Sequence, residues 1–90
     1  MGTVEKLLEQ EGVVGVEAPV DANVWKVEVA EGDAVGEGSV IVILEAMKLE
    51  IAVKTPEAVA NAGKLKVEKV LVKPGDTVTA GAHLALLRKG

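Results

Sequence analysis

The chain has 90 residues, 49% of them hydrophobic, and ten basic against fourteen acidic side chains leave a net charge of −4. That length fits one small domain with a thin core, or one module of a longer chain. Cysteine is absent, which excludes disulfides, a thiolate nucleophile and any cysteine-ligated zinc site, and suits a reducing cytoplasm. Trp25 is the only aromatic residue. An acidic chain without stacking platforms is not expected to bind nucleic acid. The longest strongly apolar run, Val40 to Leu44, is far below the roughly 20 residues that span a bilayer, so no membrane partner is expected. The first residues, Met-Gly-Thr-Val-Glu-Lys, carry neither the basic stretch nor the apolar core of a targeting signal. The expectation is a cytoplasmic chain whose abrupt ends suggest trimming from something longer.

Residues 1–12 stand apart from the rest. Val4, Leu7, Leu8 and Glu11 fall at helical spacing behind a possible Thr3 N-cap. Such a short segment is marginal as an isolated helix, so a short helix and a linker both stay open. The domain proper is expected over residues 13–90.

An internal repeat organises that domain. Residues 24–45 align with residues 67–88 at a constant offset of 43, with nine identities in 22 positions. Val24, Lys26, Val27, Val29, Gly32, Asp33, Val35, Gly38 and Leu44 meet Val67, Lys69, Val70, Val72, Gly75, Asp76, Val78, Gly81 and Leu87. Two copies are too few for a solenoid, so two half-domains closing on each other are expected.

Each copy reads as β structure. Val27 and Val29 alternate with Lys26, Glu28 and Ala30, and Glu31-Gly32-Asp33 then turns the chain. A short segment at Val35 follows and is broken by Gly36-Glu37-Gly38. Val40–Leu44 is a continuous apolar strand by its shortness, β-branching and flanking glycines. Leu49, Ile51 and Val53 alternate with Glu50, Ala52 and Lys54, a strand with one wet face. The second copy repeats this pattern through Pro74-Gly75-Asp76, Val78, Gly81 and Leu84–Leu87. Short strands between Gly, Pro and Asp turns predict an all-β sandwich or flattened barrel.

One reversal breaks the local rule. Val40–Leu44 and Leu49–Val53 abut, so the chain must turn tightly within Glu45-Ala46-Met47-Lys48-Leu49-Glu50. A two-residue hairpin normally uses Gly, Asn or Asp, because positive φ is costly elsewhere. This one offers Met47 and Lys48. Violations of this kind concentrate at functional sites. The consequence is a lysine amine held at the tip of a rigid hairpin with a methionine exposed beside it. A solvated lysine is ordinarily protonated and no catalytic base, but it is available for modification.

These residues resemble the attachment motif of biotin carboxyl carrier domains. Ala46-Met47-Lys48 carries the resemblance, which runs over about residues 16–88 and includes Ala18-Pro19, both Gly-Asp turns and both later glycines. It implies a flattened barrel of two four-stranded antiparallel sheets related by quasi-twofold symmetry, the biotinyl/lipoyl carrier type. It also implies biotin carried covalently on Lys48, with Glu45, Ala46, Met47 and Leu49 as the flanking recognition motif. The partners implied are a biotin protein ligase and the biotin carboxylase and carboxyltransferase domains of a multidomain carboxylase, between which carboxybiotin is shuttled. On that reading the module carries and does not catalyse.

Three features depart from the family's commonest pattern. Leu49 stands where Met usually follows the lysine. Pro56 to Gly75 spans 19 positions against 13 from Pro19 to Gly32, which predicts six extra residues in a surface loop around Glu57–Lys66. Only Ala-Glu-Gly-Asp-Ala separates Val29 from Val35, so the thumb insertion of bacterial acetyl-CoA carboxylase carriers is missing. Asn23-Val24-Trp25-Lys26-Val27 and Glu50-Ile51-Ala52-Val53 look most like urea carboxylase and urea amidolyase carriers. Carriers of pyruvate or acyl-CoA carboxylases, a lipoyl-type acyl carrier and a cofactor-free adaptor are the alternatives. A lipoyl domain typically reads Asp-Lys-Ala, which Met47 and Leu49 do not match.

No other motif points to catalysis. His83 is the single histidine, expected at a strand edge or partly buried, and the carboxylates show no metal-binding spacing. Gly32, Gly36 and Gly38 do not make a dinucleotide fingerprint, and Gly63-Lys64 lacks the rest of a phosphate loop. Trp25 is expected to pack in the core or at its rim, with a docking contact as the sharper alternative.

Overall fold

The computed structural model describes residues 12–56 and 65–89. Eight strands follow one another: β1 (Val13–Glu17), β2 (Ala22–Val27), β3 (Ala34–Val35), β4 (Val40–Ala46), β5 (Leu49–Lys54), β6 (Leu65–Val70), β7 (Thr77–Val78) and β8 (His83–Lys89). They form two four-stranded antiparallel sheets, ordered β1-β8-β6-β3 and β5-β4-β2-β7. The expected all-β flattened barrel is therefore the fold. No helix among the described residues is long and apolar enough to cross a membrane.

The 43-residue repeat is the architecture. Strands β2, β3 and β4 become β6, β7 and β8 on adding 43 to each number. Each half sends its short strand to the other half's sheet, since β3 pairs with β6 and β7 pairs with β2. The Gly-Asp turns lock this exchange. Gly32 N donates to Val67 O at 2.8 Å and Val67 N to Asp33 O at 2.9 Å. In the other half Gly75 N donates to Val24 O at 2.9 Å and Val24 N to Asp76 O at 2.7 Å. Each aspartate also closes its own turn: Asp33 Oδ2 accepts from Ala30 N at 2.8 Å, and Asp76 Oδ2 from Lys73 N at 2.9 Å. Gly32 and Gly75 take φ of 91° and 96°, a left-handed conformation that a Cβ would strain.

The quasi-twofold closes through the amino-terminal strand. In the second sheet β5 flanks β4; in the first, β1 occupies that place beside β8. Sequence reading did not single out β1, because no position of the second copy follows β8 to reveal it.

Both sheets turn their inner faces to one core. Val24, Ile41, Val42, Leu44 and Val53 of one sheet meet Val16, Leu65, Val67, Leu84, Ala85 and Leu87 of the other. Completely burying one such side chain contributes about 1.5–3 kcal/mol. Four bulges adjust the alternation in symmetric pairs. Register shifts at Ile41 and Leu84 place two consecutive residues inside, and shifts at Trp25 and Glu68 place two consecutive residues outside.

Three expectations change. Val29 and Val72 lie beyond β2 and β6 and only pack against the core from outside the ladder. Within the loop expected around Glu57–Lys66, Leu65 and Lys66 instead open β6, because Leu65 is fully buried in the core. The rest of that loop, and the helix or linker over residues 3–11, lie outside the described residues. Trp25 is 42% exposed rather than packed, since its bulge turns it outward.

Candidate functional site

The tip of the β4–β5 hairpin follows from register. Glu45 pairs with Glu50 and Ala46 with Leu49, so Met47 and Lys48 alone make the turn. Their φ values are 51° and 67°. They are the only non-glycine residues with positive φ among the described residues, and both central positions of a type I′ turn require it. For side chains with a Cβ this conformation costs roughly 1–2 kcal/mol per residue. Rigid strands impose it. Leu44 below the tip is fully buried, and Ala46 packs half-buried against the core.

The side chains at the tip point to solvent. Met47 is 95% exposed and Leu49 67% exposed. Lys48 is exposed and forms no ion pair or hydrogen bond among the described residues. A protein gains nothing for its own folding by presenting two large apolar side chains beside a free amine. The arrangement leaves Lys48 Nζ open to covalent acylation, with an exposed apolar side chain on either side of it. Of the residues singled out from sequence, Glu45, Met47, Lys48 and Leu49 are exposed at the tip and Ala46 packs half-buried beneath it.

Glu50 was not singled out. It stands directly across from Glu45, both exposed, on the outward face one pair below the turn. Like charges facing across strands destabilise a ladder, so this pair adds to the strain of the turn. A two-residue hairpin read with strict alternation would have revealed it. Beside the tip, Asn23, Glu45, Met47, Thr77 and Thr79 border a shallow cleft, where Asn23 Oδ1 accepts from Thr77 Oγ1 at 3.1 Å.

Elsewhere the chemistry is structural. His83 opens β8, half-buried as expected, with Nε2 3.6 Å from Glu17. No group of three or more metal-ligating side chains occurs among the described residues. On the other sheet Arg88 Nε donates to Glu68 Oε1 at 2.7 Å. That hydrogen bond holds Glu68 below the ordinary carboxylate value and pushes Arg88 up.

Comparison with known proteins places the chain in a family. A family model described as biotin-requiring enzyme matches residues 8–87. The chain is 53% identical over all 90 residues to a putative urea carboxylase of Emericella nidulans, of which it spans 7%. It is 43% identical over 72 residues to a biotinylated protein TB7.3 homolog of Mycobacterium leprae, covering 80% of this chain and 93% of that protein. The crystal structure of the Kluyveromyces lactis urea carboxylase superposes with a TM-score of 0.74 at 32% identity, over 87% of this chain and 6% of that one.

Proposed function

The chain belongs to the biotin/lipoyl attachment family of biotin-requiring enzymes, and from that premise we propose that Lys48 is its biotinylated residue. The single observation that carries this is a lysine without an ion pair or hydrogen bond among the described residues, in a strained, exposed turn between two exposed apolar residues. Met47 and Leu49, and a relative described as biotinylated, support biotin over lipoate.

Attachment uses only the Lys48 amine of this chain. Its Nζ, once deprotonated by a biotin protein ligase, attacks the acyl carbon of biotinyl-AMP. An amide bond forms, the acyl–oxygen bond to AMP breaks, and AMP leaves with the electron pair. The positive-φ turn fixes the direction in which the amine leaves the barrel, and the rigid ladder beneath holds it there. Biotin, when bound, supplies a ring nitrogen that accepts a carboxyl group and gives it up.

The parent enzyme we infer is a multidomain carboxylase, with urea as the acceptor. Its biotin carboxylase and carboxyltransferase domains take turns at the Lys48 arm, and tethering keeps the arm concentrated at both. The 53% identity to a putative urea carboxylase supports this substrate. The test is retention on streptavidin after incubation with a biotin ligase, ATP and biotin. The parent chain is expected to be retained and Lys48→Arg to pass through; retention of the variant would overturn the site.

A further inference from the structure

The two halves of the barrel are built on one plan, and a difference between their outer faces marks one of them as a docking surface. The bulge residues Trp25 and Glu68 are equivalent, as are Glu45 and Arg88, and Ile43 and Leu86. On the first sheet these positions are closed. Glu68 is bonded to Arg88 at 2.7 Å, and Leu86, which points away from the core, is nonetheless fully buried. On the second sheet the same positions are open. Trp25 is 42% exposed, Ile43 is half-buried, and Glu45 faces Glu50 with no ion pair among the described residues. Lys26, the second residue of the bulge, lies with its ammonium 4.7 Å from the indole centroid, covering one side of the ring.

We propose that this outer face of β5, β4 and β2, from the Trp25 bulge to the Glu45–Glu50 pair, is where a catalytic domain of the parent carboxylase seats the carrier. The occupant is an apolar protein surface rimmed by arginine or lysine. It covers Trp25 and Ile43 and places its cation against the two carboxylates, supplying from outside the charge that Arg88 supplies on the first sheet. Three observations fix this chemistry. Trp25 is exposed, and tryptophan is among the residues enriched at the hot spots of interfaces. Two facing carboxylates attract a cation and repel an acidic partner. The face lies on the strands that hold Lys48, so a protein seated on it has the arm at its edge.

The small size of the patch argues for a partner within the same polypeptide. One indole, one half-buried isoleucine and two carboxylates fall well short of the roughly 800 Å² per partner of a stable complex. Such a contact is useful only where tethering raises the local concentration, and it must release for the arm to reach a second site. The chain spans 7% of the length of the putative urea carboxylase it matches, which leaves ample protein to act as that tethered partner.

The inference rests on the reading that Lys48 carries biotin, and the test separates the two. In the full-length parent enzyme, Trp25→Ala, Trp25→Phe and Glu50→Lys are compared for biotin content, for carboxylation of free biotin, and for acceptor-dependent turnover. Trp25→Ala and Glu50→Lys are expected to keep biotin content and free-biotin carboxylation while turnover per biotin falls at least about tenfold, the effect of losing one central anchor. Trp25→Phe is expected to restore most of it. Thermal unfolding of the 90-residue chain with each substitution separates loss of docking from loss of fold. Unchanged turnover in both disruptive variants overturns the proposal. So does lowered biotin content with normal turnover per biotin, which would make this face the ligase's. An unsubstituted enzyme without biotin at Lys48 would instead remove the reading beneath it.

Discussion

Ala46 on β4 is the direct cross-strand partner of Leu49 on β5, which leaves Met47 and Lys48 as the whole of the turn at φ of 51° and 67°. Met and Lys are strained there, whereas Asn, whose short polar side chain tolerates the left-handed region, and Gly, which has no Cβ, accept the conformation readily. Replacing Met47-Lys48 by Asn-Gly is expected to stabilise the chain by about 1 kcal/mol, a rise in Tm of roughly 4–8 °C for a domain of this size. The same double variant loses the amine and with it biotinylation. A fall in stability in urea unfolding would show that the strain is not in the turn.

Exposure and burial three residues apart predict opposite mutational costs. Met47 is 95% exposed, so Met47→Asp is expected to change stability by less than about 1 kcal/mol, while slowing carboxyl transfer in the parent enzyme. Leu44 is fully buried, so Leu44→Ala is expected to cost about 2–5 kcal/mol. Equal costs in urea unfolding would contradict the hairpin register.

The twofold plan predicts matched losses at distant sites. Asp33 and Asp76 each accept a backbone N–H three residues earlier, at 2.8 and 2.9 Å, ahead of the equivalent short strands β3 and β7. Asp33→Ala and Asp76→Ala are each expected to cost about 1 kcal/mol, alike within about 0.5 kcal/mol. A loss confined to one of them would mean that the halves are not energetically equivalent.

Acid sensitivity is expected at Glu68. Its carboxyl sits below the ordinary value of 4.5 because Arg88 hydrogen-bonds it. A depressed carboxylate stabilises the fold above its unfolded value and loses that contribution as pH falls through its folded one. Glu68→Gln should therefore be less stable than the parent near neutral pH, with the difference shrinking as pH falls through the lowered folded-state value of Glu68. Because the pair is only part-buried and still reached by solvent, the difference should also shrink in high salt. A gap that persists in acid would point to packing rather than charge.

The sequence made the repeat legible because Gly-Asp turns and their flanking valines carry the same geometry in both halves. The hairpin was legible through the mismatch between its turn and its residues. Other features were hidden for physical reasons. Strand β1 pairs with β8 from the far end of the chain, a non-local contact that no local pattern announces. The bulges were hidden as well. Val40–Leu44 reads as a strand covered on both faces, yet Ile41 and Val42 both point inward because of the register shift, and Ile43 is left half-buried outside. One extra residue at the Trp25 bulge likewise turned the indole, expected in the core or at its rim, outward to 42% exposure.

The central claim is that biotin is joined to one defined amine. Fragmentation mass spectrometry of the protein recovered from cells that express a biotin ligase tests it most directly. The account predicts one biotinyl group, found only in the fragment that contains Lys48. Biotin on any other lysine, or a Lys48 that stays unmodified while a control carrier in the same cells is labelled, would contradict it.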